Sequence, residues 1–501
     1  MKTLRRIAAL ALLASAGARA ADVNVSTVQQ LTDAFANATA GTTIHVAAGT
    51  YVLNAAVWTA HDGASGQPIT VTVDSGTARI DVNAVEGLVI NNAWWRVEKV
   101  WLNGVCPGGC VDSAGLHLKA SADQVVVSGL RITNFGQGIK SDRTPTDEIV
   151  DGQILGTEVS NEGADLAAGG TGIDLVGGLR WRIAGNYVHD YARDGVHYAI
   201  FVKGGARDAV LERNLVIGAK LVAHGSGAEV GISFGGGGTG PQFCATGNAG
   251  AQFCTCETFA GVARNNLVID VNDSALHSKV ACGSVFLNNT VVGASPGLQV
   301  QIAGGTAVEA HENVFSGGIS GTATASNNLL NVTSATFGQL YANVAAYDFS
   351  PGTATAAIKD KGPALTNVND DYLGHPRDAS PDWGAFELSA GATVWPWTGL
   401  VATGGGGGAT GGGGGATGGG AATGGGGVSG GGAGGGTGTG GGTSTGGGSA
   451  TGGGSAATGG GSATDAGDGG MTTGSCGCQQ VELAPLLVLA LATMRRRRVS
   501  P

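Results

Sequence analysis

Eight short runs along the chain place an apolar β-former two positions before a residue that tolerates a left-handed backbone. The run ends are Asn103, Asn134, Asn161, Asp190, Gly218, Asp270, Gly293 and Gly317, and the apolar residues are Trp101, Ile132, Val159, Val188, Val216, Val268, Val291 and Phe315. Such side chains suit a pleated surface with one buried face. Successive ends lie 31, 27, 29, 28, 52, 23 and 24 residues apart, and the 52 reads as two coils carrying an insertion. A unit of about 25 residues cannot bury its own apolar face, whereas stacked units share one core. The pattern therefore predicts an all-β solenoid, a parallel β-helix.

Two more strands fit the same coil. Ile183, Leu211, Ala263, Phe286 and Ala310 each precede by three residues an asparagine, namely Asn186, Asn214, Asn266, Asn289 and Asn313. Asparagine enters the left-handed region cheaply and its amide can bond the next coil, which predicts a stacked asparagine ladder. The other strand opens with Gly or Ala and an aliphatic, as in G-L-H-L-K at 115 and G-I-D-L-V at 172. Alternation turns the aliphatic inward and the next residue outward. One outward row is then His117, Lys140, Asp174, Phe201, Ser233, His277 and Gln299. The row two residues on is Lys119, Asp142, Val176, Lys203, Gly235, Lys279 and Gln301. Coils stacked about 4.8 Å apart make such rows a natural saccharide platform; a solvated sheet face without a ligand is the competing reading.

Residues 26–40 carry Val28, Leu31, Ala34, Phe35 and Ala38 at helical spacing behind a Ser/Thr cap, which predicts a helix closing one end of the solenoid. The following A-G-T-T-I-H-V-A-A-G-T-Y resembles the opening coil of pectin-lyase-like proteins. That resemblance, spanning roughly residues 22–390, implies a right-handed, three-sheet parallel β-helix with an N-terminal capping helix. It leaves function open, because the fold serves lyases, hydrolases, epimerases and adhesins. The stretch D-D-Y-L-G-H-P-R-D-A-S-P-D-W-G-A-F-E at 370–387 resembles a closing segment of bacterial β-helix proteins, so Asp382, Trp383 and Glu387 are read as capping residues.

Composition sets the setting. The 501 residues include 94 glycines and carry a formal net charge of −10, which argues against a nucleic-acid partner. Residues 1–20 read as an export signal, with Lys2, Arg5 and Arg6, an Ala/Leu run and A-R-A before Ala21. Export places the cysteines in an oxidising compartment. Cys106 and Cys110 are expected to pair, and Cys244, Cys254, Cys256 and Cys282 read as disulfides rather than zinc ligands, lacking paired two-residue spacings. The insertion around them reads as a pinned loop walling the groove; its G-G-G-G-T-G has no lysine or strand–turn–helix context for holding phosphate.

Residues 21–400 are assigned to the solenoid and 401–474 to a Gly/Thr/Ser-rich spacer that cannot bury enough surface to fold. Residues 475–501 combine Cys476, Cys478, an apolar run from Val481 to Met494 and Arg495 to Arg498. That run spans only about 21 Å as a helix, short of the roughly 30 Å hydrocarbon core. The order of linker, Cys-Gly-Cys, apolar run and arginines resembles the myxobacterial C-terminal sorting tail. This implies a surface-sorting protease acting at Cys476 or Cys478 and retention at the outer cell surface; a tail anchor is the alternative.

The sharpest chemistry lies in A-I-F-V-K-G-G-A-R-D at 199–208, which resembles the lysine-bearing coil of alginate lyases and chondroitinase B. In place of their Arg-His-Gly on the next coil stand Ser233, Phe234 and Gly235. The resemblance implies that Lys203 takes the proton α to a uronate carboxyl. Elimination also needs a neutraliser for the carboxylate and a proton donor. Arg207, or a Ca²⁺ held by Asp142 and Asp174, is the expected neutraliser, and His197, with His189 and Tyr191, the expected donor. His117, Lys119, Lys140, His277, Lys279 and Gln299 are the expected substrate contacts. Asp142 with Asp174 is also the pair an inverting hydrolase would use. The function expected is a surface-displayed polysaccharide lyase acting on an acidic polysaccharide or matrix glycan. A non-catalytic glycan-binding or adhesive protein is the alternative.

Overall fold

The computed structural model describes residues 21–388 except 108–109, 111–112, 163–169, 193–194, 237–238 and 302–306. Two compact units divide the chain, residues 1–409 and 410–501, and every described residue belongs to the first. The export signal, the spacer and the sorting tail with Cys476 and Cys478 lie outside the described residues.

Three long sheets, parallel throughout, wrap one core as a right-handed β-helix. The first has 12 strands, from Asp22–Val25 to Thr324–Ser326. The second has 10, from Val57–Trp58 to Ile319–Ser320, and the third has 10, from Gly49–Leu53 to Val314–Phe315. Each coil visits the first, third and second sheets in turn. Ile183, Leu211, Ala263, Phe286 and Ala310 stack in register in the first sheet. In the second, Leu116, Ile139, Ile173, Ile200, Ile232, Leu276 and Leu298 do the same, and all are fully buried.

The small residue that opens each second-sheet strand has a packing cause. A Cβ at Gly138 would meet Val159 Cγ1 at 2.4 Å, and one at Gly172 would meet Val188 Cγ1 at 2.6 Å. Those valines belong to the inward row of the third sheet, so the Gly row and the Val row are two sides of one close approach. The third-sheet row itself needs one correction. Trp101 pairs with Arg131, while Leu102 pairs with Ile132 and is the buried residue of that coil. Two apolar neighbours in sequence concealed which of them faced inward.

The asparagine ladder is present, with a different backbone origin. Asn186 Nδ2 donates to Asn214 Oδ1 at 2.9 Å, Asn214 to Asn266 at 3.0 Å, Asn266 to Asn289 at 2.9 Å and Asn289 to Asn313 at 3.0 Å. Asn328 adds a further rung. The left-handed residue is the one before each rung: Gly185, Arg213, Asn265, Asn288, Glu312 and Asn327 have φ between 50° and 64°. That turn aims the asparagine inward, where its amide also donates to a strand carbonyl of the preceding coil, such as Ile154 or Ile183. At the strand ends, Asn134, Asp190, Asp270 and Gly293 are left-handed, whereas Asn103, Asn161, Gly218 and Gly317 are not.

The 52-residue interval is one coil, not two. Leu215–Ile217 pairs directly with Leu267–Ile269, and Asn214 directly with Asn266. The extra length is an excursion between the second-sheet strand Ala228–Phe234 and a short strand, Thr258–Phe259. Disulfides Cys244–Cys254 and Cys256–Cys282 hold it, and a third joins Cys106 to Cys110. Glu257, fully buried, bonds the Thr239 hydroxyl at 2.7 Å and the Gly204 amide at 2.8 Å, which ties the excursion to the turn after Lys203.

One end is closed by the helix Val28–Asn37, capped by Thr27 and burying Leu31, Ala34 and Phe35; Phe35 lies 5.3 Å from the Trp95 ring. The segment 329–388 lies along the outside of the third sheet rather than across an end. Phe337, Tyr341, Phe349 and Phe386 cover Leu215, Ile217, Leu267, Ile269 and Val314 in a second apolar cluster. Asp382, fully buried, accepts amides from Asp360 and Leu388. The buried Arg377 donates to the carbonyls of Asp370, Asp382 and Gly384.

Candidate active site on the second sheet

Both outward rows stand in the register expected from the repeats: His117 beside Lys140, Lys140 beside Asp174, Asp174 beside Phe201, and His277 beside Gln299. The charges along them form three groups.

At the N-terminal end, Lys119 Nζ lies 3.2 Å from Asp142 and 3.4 Å from Glu86, and His117 Nε2 lies 3.2 Å from Asp142 while its Nδ1 contacts Glu86. Lys119 also sits 5.6 Å above the ring of Trp58, which is 46% exposed. Hydrogen bonding from His117 holds the Glu86 carboxyl below the usual range. Burial works against ionising Asp142, but His117 and Lys119 outweigh it and its carboxyl is held low as well. Glu86 escaped the sequence reading, although E-G-L-V-I at 86–90 repeats the Gly-aliphatic signature.

The central group surrounds Lys203. Its ammonium lies 3.1 Å from Asp174 Oδ1 and 4.3 Å from the Phe201 ring centroid. Phe201 stacks on Tyr198 with centroids 3.9 Å apart and an interplanar angle of 15°. Gly236, which opens the excursion, leaves room for both rings: a Cβ there would meet Phe201 at 2.6 Å and the Tyr198 hydroxyl at 2.8 Å. The excursion thus bounds the groove at this point. Burial pushes the Tyr198 phenol up to about 12.

Lys203 and Arg207 part company at Gly204 and Gly205, whose φ values of 71° and 81° turn the chain. Arg207 lies in the short strand Ala206–Arg207 and pairs with Glu148, which also binds the buried Arg143 at 3.0 Å. The partner of Lys203 is Asp174, and Arg207, the neutraliser expected from the sequence, is itself engaged by Glu148. His197 pairs in register with Glu229 of the next coil, on the same strand as Lys203. Tyr191 is fully buried and donates to the Val230 carbonyl, and His189 lies on the third sheet.

In the third group, His277 is buried, its Nδ1 3.0 Å from Ser233 Oγ. Burial, helped by Lys279, pushes its imidazole down to about 4. Among the described residues, Lys140 and Lys279 have no carboxylate within ion-pair distance. Asp142 and Asp174 stand in different rows, each with its own cation. The group of three metal-ligand side chains that the described residues do bring together is elsewhere: Glu158, Glu162 and His189.

No protein-family model matches the chain, and no curated protein matches it in sequence. Similar solved structures include the pectate lyase Pel9A, at 13% identity and a TM-score of 0.51, covering 71% of this chain and 90% of the other. An alginate lyase from Paenibacillus sp. str. FPU-7 is 17% identical with a TM-score of 0.41, covering 62% and 99%. A rhamnogalacturonan lyase is 12% identical with a TM-score of 0.42, covering 61% and 79%. At such identities the likeness is one of scaffold, and the comparison with Pel9A identifies that scaffold as the right-handed parallel β-helix.

Proposed function

We propose that this is a carbohydrate-active protein whose second-sheet face binds an acidic polysaccharide and cleaves it by β-elimination. The observation that carries the reading is the spacing of Lys140, Lys203 and Lys279. They occupy every second coil, roughly 10 Å apart along the solenoid axis at about 4.8 Å per coil, Lys140 in the first outward row and Lys203 and Lys279 in the row two residues on, and the outer two have no anionic partner among the described residues. A chain bearing a carboxylate on each sugar would offer anions along such a line, and each lysine held by one would release bound counterions.

In this reading Lys140 and Lys279 grip carboxylates. Lys203, beside the Phe201–Tyr198 stack and the excursion, removes the C5 proton, and its electron pair forms the C4–C5 double bond as the C4–O bond breaks. His197, the donor expected from the sequence, lies six residues away on the same extended strand, roughly 20 Å at about 3.3 Å per residue, too far to protonate the departing oxygen; the Tyr198 hydroxyl, whose ring stacks on Phe201 beside Lys203, is the nearer acid. Arg207 joins only by leaving Glu148, so a free lysine suits carboxylate neutralisation better. A Ca²⁺ shared by Asp142 and Asp174 would have to displace Lys119 and Lys203 from them.

The test is a panel of alginate, pectate, glycosaminoglycans and neutral glycans, read by the ultraviolet absorbance of unsaturated uronate ends. Lys203→Ala is expected to abolish product while binding persists, because a base acts chiefly in the transition state. The second reading, a glycan-binding surface protein without turnover, is favoured by the Asp174–Lys203 pair, which occupies the base with an anion. Binding of a polyanion by wild type with no product from any substrate would establish it. Surface display is proposed from the tail, and deleting residues 476–501 is expected to release the protein into the medium.

A further inference from the structure

The outer face of the third sheet changes character along its length. Beyond Leu215 it is apolar and covered by the segment 329–388, whereas the preceding coils carry Arg131, Glu158, Tyr187 and His189. His189 is held from three sides. Its Nδ1 lies 2.6 Å from Asp190 Oδ2, its ring stacks on Tyr187 at 4.2 Å, and its Nε2 faces Glu158 Oε1 at 3.3 Å.

Asp190 is itself fixed, accepting the amides of Lys220, Leu221 and Val222 at 2.8 to 3.0 Å, and its side chain is fully buried. A carboxylate so held accepts a hydrogen bond from Nδ1–H and leaves the Nε2 lone pair pointing at Glu158. Two acceptors cannot face each other unless a cation lies between them, whether a proton on Nε2 or a metal ion. Glu162 completes the group, with one ligand atom from each of the three residues lying within 4.8 Å of the others. Arg131 approaches from the preceding coil, 3.2 Å from Glu162 and 3.7 Å from Glu158, and its Nε has no hydrogen-bond acceptor. Among the described residues, three carboxylates thus face one guanidinium and one imidazole.

We propose that Glu158, Glu162 and His189 form a binding site for a first-row divalent cation of the Zn²⁺ or Mn²⁺ kind, oriented by Asp190 and separate from the saccharide groove. One imidazole nitrogen with carboxylate oxygens suits such ions, whereas Ca²⁺ prefers an all-oxygen shell. The carboxylate behind the imidazole is the usual outer-shell partner of a ligating histidine. The ion would join the ends of two successive third-sheet strands, Glu158–Ser160 and Tyr187–His189, where the chain leaves for the second sheet.

The experiment is calorimetric titration of chelator-treated full-length protein with Zn²⁺, Mn²⁺ and Ca²⁺, with circular dichroism on every variant. One Zn²⁺ or Mn²⁺ per chain is expected, bound at least ten-fold more tightly than Ca²⁺. Glu162→Gln, at the more exposed ligand, and His189→Ala should each weaken it ten-fold or more, and Asp190→Asn by roughly 10–100-fold. Since the buried variants are at risk of misfolding, Co²⁺ visible absorption in wild type and Glu162→Gln gives a second readout that reports coordination of the metal directly. Absence of millimolar binding, or binding that folded Glu162→Gln and His189→Ala both leave unchanged, would overturn the proposal and leave a protonated His189 and Arg131 as the cations of the group among the described residues.

Discussion

One coil builds two unlike surfaces. On the second sheet the outward positions hold the half-buried Lys140 and Lys203 and the buried His277, with Trp58 exposed at the N-terminal end. On the third sheet, over the C-terminal coils from Leu215 onward, they hold Leu215, Ile217, Leu267 and Ile269, and the chain spends the segment 329–388 covering them. Apolar outward rows demand a cover, so a solenoid face left uncovered must be polar whether or not it binds anything. What sets the second sheet apart from mere solvation is the arrangement of its charges. Lys119 is locked between two carboxylates, while Lys140 and Lys279 have none within reach among the described residues.

The sharpest way to break this contrast is to charge the core that both faces share. Val216→Asp would bury an unpaired carboxylate at a fully enclosed position, and a loss on the order of 4 kcal/mol or more is expected. Unchanged thermal unfolding would mean the row does not face inward. Phe386→Ala attacks the cover. It stacks on Phe349 at 5.0 Å and is buried, so about 3–5 kcal/mol should be lost with the groove intact. Equal loss of glycan binding would show that the two faces are not independent.

A pH series sharpens the comparison further. His277 is held neutral, burial pushing its pKa to about 4 from the ordinary 6.5. Because the unfolded chain binds its proton first, its contribution is complete above pH 6.5 and is lost as pH falls towards 4. His277→Gln is therefore expected to flatten the acid limb of a stability profile by about 3 kcal/mol across that window. A mutant whose acid limb matches wild type would assign the slope elsewhere. The smallest change in stability belongs to the open face: Lys140→Ala and Lys279→Ala should each shift it by less than about 0.5 kcal/mol. Both should nonetheless weaken polyanion binding and reduce its salt dependence, measured by titration at two ionic strengths.

Features that recur at every coil were legible in the sequence; contacts made once, between particular residues of different coils, were not. Val188, Val216 and Val268 announced the inward row, and Asn214 and Asn266 the ladder, because stacking repeats one environment at each coil. The 52-residue interval misled because length alone does not distinguish an added coil from a loop leaving one; the direct pairing of Asn214 with Asn266 does. Lateral docking of 329–388 has no period to betray it. At the site, the lysines and aspartates could be named from the motif, but not their partners. Glu86 and Glu148 sit outside the rows that were tabulated, and they decide that Lys119 and Arg207 are engaged.

The ladder from Asn186 to Asn328 makes the length of this protein a quantised variable. Every rung offers the next the same amide and accepts the same pair of donors. A whole coil gained by duplication or lost by excision within that stretch would therefore find its hydrogen bonds waiting, whereas a partial one would strand them. Evolution could thus set the reach of the groove in steps of about 4.8 Å, one rung at a time, while the helical cap at one end and the lateral cover on the third sheet stay as they are.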